Sequence, residues 1–171
     1  MVKRTQLASE SQLHGIYKPG DFLDCYSVAI SPTDRPLIEI LQYMLIAMPA
    51  WVRTLMRIRD NVVRVFGIKT TQDLPQDNSF RKSLAVGDHV SFMRVRSISD
   101  SEIILGEDDS HLDFRAALRR EPGTNGVVSF ATLVHRHNVT GHLYLGLIKP
   151  FHILIVKSRL AAAARHFRAY G

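Results

Sequence analysis

The chain has 171 residues, 46% of them apolar and 22% charged, with a formal net charge of +6. This composition predicts a single globular domain over residues 1–171 with enough apolar material for a core. The single cysteine, Cys25, excludes an internal disulfide framework and any multi-cysteine metal site. A lone cysteine suits a reducing compartment, so we expect a cytoplasmic protein.

The N-terminal residues carry charges but no apolar run of signal-peptide length. We expect residues 1–15 to be disordered and the core to span about residues 20–168. Residues 37–52 and 143–156 are apolar, but both runs fall short of the roughly 18 residues that a membrane span needs. They therefore predict buried core helices and no membrane span.

The first half of the chain predicts one strand and two helices. Residues 21–30 are rich in β-branched and aromatic residues and read as a strand. A helix is expected to begin near Pro36 and to end or kink at Pro49. A second helix from Ala50 should end at Gly67 and is the most amphipathic segment. Its apolar stripe contains Trp51, Leu55, Ile58 and Val62. Its polar face contains Arg53, Arg57, Asp60 and Arg64.

The second half predicts an antiparallel meander followed by a long helix. Strand-like runs cover residues 90–99, 102–107, 111–120 and 126–137, and the turns between them are too short for parallel neighbours. Residues 141–169 are helical in composition, and Pro150 should kink this helix or mark its true start. The order indicates an α+β fold in which the C-terminal helix covers an apolar sheet face.

Three segments together carry a family resemblance: "PAWVRTLMRIRDNVVRVFGIK", "GEDDSHLDFR" and "TLVHRHNVTGHLYLGLIKPFHILIV". They resemble a bacterial family, domain-of-unknown-function family 2867, which is similar to the START-like, or helix-grip, superfamily. The resemblance implies a curved antiparallel sheet around a long C-terminal helix, with a hydrophobic cavity between them. It implies no catalytic mechanism.

The register of the meander decides which polar groups can meet. If Asp108 and Asp109 form a two-residue turn, Leu105 faces Leu112. The next hairpin, closed by "EPGTNG", can place Phe114 opposite Leu133. His135 and His137 then share the apolar face, whereas His111 and Asp113 lie on the polar one, so these groups cannot share a metal. A slip of one residue would reunite them. We predict neither a metal site nor a cofactor.

Two sets of site residues follow from this arrangement. His111, Asp113 and Arg115 share a strand face and are the candidate catalytic residues, unless they form a cross-strand ion-pair network on a wet face. The candidate ligand-binding residues are expected to line the cavity or its mouth: Phe114, Leu133, His135, Tyr144 and His152. Asn138 and Thr140 are plausible caps of the last helix.

Three functional hypotheses remain open. The leading one is a non-catalytic binder of a small hydrophobic or amphipathic molecule held between the sheet and the C-terminal helix. The second is a cyclase- or aromatase-like enzyme that uses His111, Asp113 and Arg115. The third is a basic module whose arginines on the second helix bind anionic lipid, nucleic acid or a protein. Because the basic residues are spread along the chain, the sequence does not favour a nucleic-acid partner. The ligand and the oligomeric state stay undetermined.

Overall fold

The computed structural model describes residues 1–65 and 70–169 of the chain. The helix end predicted at Gly67 lies outside the described residues. The strands are β1 (Lys3–Arg4), β2 (Phe22–Ala29), β3 (His89–Val90), β4 (Met93–Ile98), β5 (Glu102–Asp108), β6 (Leu112–Arg120) and β7 (Val127–Arg136). The helices are α1 (Leu37–Ile46), α2 (Ala50–Val65) and α3 (Val139–Ala169), with short 3-10 helices at Gln12–Gly15 and Thr71–Asp73.

The strands form one curved antiparallel sheet of seven strands, in the order β1-β2-β7-β6-β5-β4-β3. Helix α3 packs across it, so the predicted α+β class and helix-grip-like arrangement are confirmed. The sequence indicated five of these strands. The other two, β1 and β3, have two residues each, which is too short for a periodic signal.

The inner face of the sheet holds the main core. Side chains from alternate positions of the strands pack against α1 and α3, as period-2 alternation requires. This core includes Val28, Ile103, Leu105, Leu118 and Phe130 from the sheet, Ile40 and Leu41 from α1, and Leu160 and Ala163 from α3.

The outer face of the sheet is covered by the N-terminal segment. Leu13 is fully buried and packs on a second cluster that includes Cys25 and Ala131. Ser11 Oγ and the Gln12 amide donate hydrogen bonds of 2.6 and 2.9 Å to the buried carboxylate of Glu102. The residues that we expected to be disordered, 1–15, thus contain β1 and the first 3-10 helix, and they cover part of one sheet face.

The predicted register was wrong in both hairpins of the meander. In the first, Asp108 pairs with Asp113, so four residues lie between the paired positions, but every side chain keeps its predicted face. In the second, Phe114 pairs with Val134 instead of Leu133, a slip of one residue. Gly126 has φ 69°, so it closes the turn and does not begin the strand. This slip moves the side chains at 131, 133 and 135 to the outer face.

Helix α3 is continuous through Pro150, so this proline does not mark its start. Asn138 Oδ1 accepts the Gly141 amide at 3.0 Å, which confirms Asn138 as the N-terminal cap. Near the other end, Arg159 donates hydrogen bonds of 3.0 and 2.8 Å to the carbonyls of Met44 and Tyr43. These carbonyls belong to the last turn of α1, where no intrahelical partner exists. Arg159 therefore fixes α3 to α1.

Among the described helices, α3 is long and apolar enough to cross a membrane, judged by length and composition alone. The 143–156 run that appeared too short is the first half of this helix, and several of its apolar side chains are exposed. Helix α2 also departs from expectation. Val52 and Val63 are buried, whereas Trp51 and Ile58 of the predicted apolar stripe are exposed.

Candidate functional site

The three candidate catalytic residues do not lie beneath α3. Asp113 and Arg115 are on the outer face of the sheet, and His111 is in the turn before β6. Arg115 Nη1 lies 2.6 Å from Asp108 Oδ1, and Asp113 Oδ1 lies 3.1 Å from His137 Nε2. Burial alone would raise the pKa of Asp108, but Arg115 and Arg96 outweigh it and lower that pKa. The geometry matches the ion-pair network weighed as the alternative.

The slipped register brings the histidines next to Asp113. His135 is its cross-strand partner, and His135 Nδ1 lies 2.6 Å from Asp21 Oδ1. The rings of His135 and His137 are 5.1 Å apart. No three metal-ligating side chains in the described parts of the chain are placed to hold an ion. The adjoining cavity is about 60 Å³, far below the roughly 300 Å³ of a typical ligand pocket.

A row of short and polar side chains crosses the inner face of the sheet beneath α3. Asp24 pairs with Thr132, and Thr132 pairs with Ala116. We call these three residues the central trough. Larger side chains flank it on both sides: Phe22, Val134 and Phe114 in one row, and Tyr26, Phe130 and Leu118 in the other. The trough is therefore a low, polar line between two apolar ridges.

Helix α3 places His152 over this trough. Its Nε2 atom lies 3.6 Å from Asp24 Oδ1, longer than a hydrogen bond. On either side, Lys149 Nζ lies 5.1 Å from the ring centroid of Phe22, and Lys157 Nζ lies 5.7 Å from that of Tyr26. Both lysines are exposed, and their ammonium groups make cation–π contacts with these rings. The polar centre of the site is thus enclosed by aromatic and aliphatic groups.

The polar atoms of this site have no hydrogen-bond partners within the described residues. They are both carboxylate oxygens of Asp24, Thr132 Oγ1 and His152 Nε2. Asp24 is 4% exposed and Thr132 is 5% exposed. Burial and, secondarily, the charge of Asp24 raise the pKa of the nearby Tyr26 hydroxyl. Because buried polar groups are nearly always paired, this concentration of unpaired atoms distinguishes the site.

The predicted ligand-binding residues divide between the two faces. Phe114, Tyr144 and His152 lie between the sheet and α3. Placing Leu133 and His135 there was wrong, because the one-residue slip of β7 turns both to the outer face. Tyr144 Oη accepts hydrogen bonds of 3.0 and 2.9 Å from Arg59 and so connects α3 to α2.

Neither Asp24 nor Thr132 was predicted from the sequence as a site residue. A signal was available, because Asp24 alternates with Phe22 and Tyr26 in β2 and so occupies a core-facing position in an apolar strand. A charged residue at such a position conflicts with the local pattern, and conflicts of this kind concentrate at functional sites. Thr132 carried no comparable signal.

A larger cavity of about 360 Å³ lies near the start of α1. Its walls come from α1, the segment before β3 and the β4–β5 hairpin, and include Pro36, Ile38, Lys82, Leu84 and Asp100. It is open to the solvent and does not contain the unpaired polar atoms of the trough.

Residues 16–159 match the protein family described as "Protein of unknown function (DUF2867)". The chain belongs to this family. The DUF2867 region contains the whole trough, His152 and the arginine that joins α3 to α1, so the resemblance seen in the sequence is confirmed at the level of the family. Comparisons with curated proteins and with solved structures gave no match.

Proposed function

We propose that this protein binds a small amphipathic molecule between the sheet and α3, with the polar head of the ligand donating a hydrogen bond to Asp24. The observation that carries this proposal is the buried Asp24 carboxylate, whose two oxygens have no hydrogen-bond partner among the described residues. The proposal extends the helix-grip arrangement to the ligand-binding role that the START-like resemblance implies.

The other buried carboxylates show how unusual Asp24 is. Three carboxylates are buried within the described residues: Asp24, Asp60 and Glu102. Asp60 is paired with Arg59 and accepts hydrogen bonds from Thr71, and Glu102 accepts from the N-terminal segment. An ionised carboxylate without a partner is strongly disfavoured in a buried environment. Asp24 has His152 Nε2 at 3.6 Å as an ion-pair partner when the imidazole is protonated, but unlike the other two it accepts no hydrogen bond within the described residues, and a ligand would supply this missing donor.

The surroundings define the chemistry of the ligand. A hydroxyl or ammonium group can donate a hydrogen bond to Asp24. A hydroxyl can also accept from Thr132, whereas an ammonium group can only donate to the Thr132 hydroxyl oxygen. The ridges on either side would contact an apolar body through Phe22, Phe114 and Tyr26. A carboxylate ligand would meet the charge of Asp24 and is disfavoured.

The α3 segment above the trough offers a route of entry. Ile148, His152 and Ile153 are only half-buried, whereas the second half of α3 is packed into the core. Pro150 has no amide hydrogen, so it cannot donate a hydrogen bond to the Gly146 carbonyl four residues earlier. Gly146 is itself a weak helix former. A local movement of this segment therefore disturbs few stabilising contacts.

Two measurements test the proposal. Native mass spectrometry of protein purified from its own host should reveal a small molecule bound with one-to-one stoichiometry. Calorimetric titration with dodecylamine, dodecanol and dodecanoate should then show binding of the amine and the alcohol in preference to the acid.

Substitution of the carboxylate provides the specific control. Asp24→Asn should weaken dodecylamine binding by about tenfold to a hundredfold, because a charged hydrogen bond contributes about 1.5–3 kcal/mol. Asp34→Asn changes an exposed carboxylate and should leave binding unchanged. Equal amine affinity in wild type and Asp24→Asn, or ordered water alone at Asp24 in a crystal grown with the alcohol, would contradict the proposal.

The cyclase hypothesis required at least two of its three residues to point into the cavity that the sequence predicted between the sheet and α3. Asp113 and Arg115 lie on the opposite face, where the adjoining cavity is about 60 Å³. No observation in the structure favours that hypothesis as a second candidate.

A further inference from the structure

The outward face of α3 is apolar along its first half. Val139, Leu143 and Leu147 recur at every fourth position and are 74%, 62% and 48% exposed, and Phe151 and Leu154 continue the same stripe. Residues spaced by three or four lie on one face of a helix. Exposed apolar stripes of this length are uncommon on isolated proteins and mark interaction surfaces.

Helix α2 adds apolar groups beside this stripe. Its Arg59 bonds to Tyr144 of α3, so the two helices are neighbours. Trp51 and Ile58 are 40% and 53% exposed. Since α2 packs inward through Val52 and Val63, its predicted apolar stripe is turned sideways and remains accessible. We call the exposed apolar residues of α2 and α3 the helical surface.

The charge around the helical surface is strongly asymmetric. Nine of the 22 basic residues but only one of the 16 acidic residues lie on α2 and α3. The acidic residue, Asp60, is buried and paired with Arg59. Arg53, Arg57 and Arg64 are exposed on α2, as is Lys149 on α3. The surface is therefore apolar at its centre and positively charged at its margins.

Apolar helices with basic margins have the chemistry of helices that lie on membranes of negative charge. A second copy of this chain is a poorer partner, because two surfaces of the same sign would repel each other. Nucleic acid would engage the arginines but would leave the apolar stripe uncovered.

We propose that α2 and α3 dock this protein on an anionic membrane surface, with α3 lying in the plane of the interface. A helix α3 that lies on the membrane fits the fold better than one that crosses it. Arg159 fixes one part of this helix to α1, and Gly141 packs closely against the His111 carbonyl at the other end. A crossing helix would have to break both attachments. The proposal does not depend on the ligand site beneath α3.

The full chain contains its own reporter of binding. Trp51 is its only tryptophan, and it belongs to the helical surface. Mixing the protein with vesicles of phosphatidylcholine and phosphatidylglycerol should shift the tryptophan emission to shorter wavelength and carry the protein with floating vesicles. Vesicles of phosphatidylcholine alone should bind at least tenfold more weakly, and added salt should release the protein.

Matched variants separate the apolar and the charged contributions. Leu143→Gln with Leu147→Gln should weaken binding by about tenfold or more, because each leucine would no longer enter the interface. Phe80→Gln with Val86→Gln alters exposed apolar residues outside α2 and α3 and should change nothing. Arg57→Gln with Arg64→Gln should weaken anionic binding, whereas Lys3→Gln with Arg4→Gln on β1 should not.

All these positions are exposed, and circular dichroism would verify that each variant is folded. Equal binding to both vesicle types, or equal binding by the Leu143/Leu147 variant, would overturn the proposal. A dimer in solution that dissociates in the Leu143/Leu147 variant would also overturn it, because the surface would then be a subunit interface. Unchanged vesicle binding by Asp24→Asn is expected and keeps this test separate from that of the ligand site.

Discussion

Asp24 and Thr132 lie directly opposite each other on β2 and β7, and both side chains are buried beneath α3 without a hydrogen-bond partner among the described residues. The pairing places two unsatisfied groups at one point of an otherwise apolar surface. Such an arrangement lowers the stability of the protein, because each buried group without a partner has lost its hydrogen bonds to water, and the proposed ligand would supply the missing bonds. The same groups therefore predict effects on both stability and binding.

Replacing the threonine tests the stability cost. Thr132→Val keeps the shape of the side chain and removes the unpaired hydroxyl, so the free energy of unfolding should rise by about 1 kcal/mol. Thr70 is also buried, but its hydroxyl donates to Asp73 at 2.7 Å, so Thr70→Val should lower stability by about 1–2 kcal/mol. Urea unfolding measures both. A loss of stability in Thr132→Val would show that its hydroxyl is already satisfied.

Alanine substitutions at two glycines of α3 should change the stability of the protein in opposite directions. A Cβ at Gly141 would collide with the backbone carbonyl of His111, which has little freedom to move. Gly141→Ala should therefore destabilise the protein by about 1–3 kcal/mol. At Gly146 a Cβ would meet nothing within 4 Å, so Gly146→Ala should stabilise the helix by about 0.5–1 kcal/mol. Thermal unfolding followed by circular dichroism compares the two, and a shift of the same sign would contradict the packing described here.

Arg159 holds two helices together from a buried position. Burial lowers the pKa of its guanidinium, and its bonds to the last carbonyls of α1 compensate for that burial. Arg159→Met should cost about 1–3 kcal/mol, because the carbonyls of Tyr43 and Met44 would lose their partner. Arg165→Met, on the exposed side of the same helix, should stay within about 0.5 kcal/mol of wild type. Chemical denaturation of the two variants decides between a structural and a dispensable arginine.

Cys25 predicts how stability changes at alkaline pH. Burial and, to a lesser degree, Glu121 raise the pKa of its thiol from the ordinary 9.0 to about 12. Between these values the unfolded chain loses the proton while the folded protein keeps it, so stability is fully present below pH 9.0 and falls as pH rises towards 12. Over this range wild type should lose about 1.4 kcal/mol per pH unit more than Cys25→Ala. Urea titrations above pH 9 measure this difference, and parallel curves for the two proteins would contradict it.

Local sequence patterns were enough to predict the principal elements. The strand expected over residues 21–30 is β2, Phe22–Ala29, and the helix expected from Ala50 begins there. Alternation of apolar residues and the positions of prolines act within a few residues of each other, so a single sequence contains them. The two-residue strands at the sheet edges have no such pattern and form only because longer neighbours offer hydrogen bonds.

Local patterns also failed to give the orientation of α2. The stripe of Trp51 and Ile58 is apolar, but the helix turns Val52 and Val63 towards the core. Arg59 contributes to this choice, since it reaches both Asp60 and Tyr144. A tertiary contact thus overrode the preference that the sequence pattern indicated.

The sequence by itself determined the α+β class, the order of the main elements and the family, because these depend on local periodicity and on long matching segments. Only the tertiary structure decided the register of β7. Gly126, with a positive φ, lies in the turn before that strand, and in the register that follows this turn His135 meets Asp113 on the outer face while Thr132 meets Asp24 beneath α3. Strand side chains alternate between faces, so a shift of one residue moves every functional group of the strand to the opposite side.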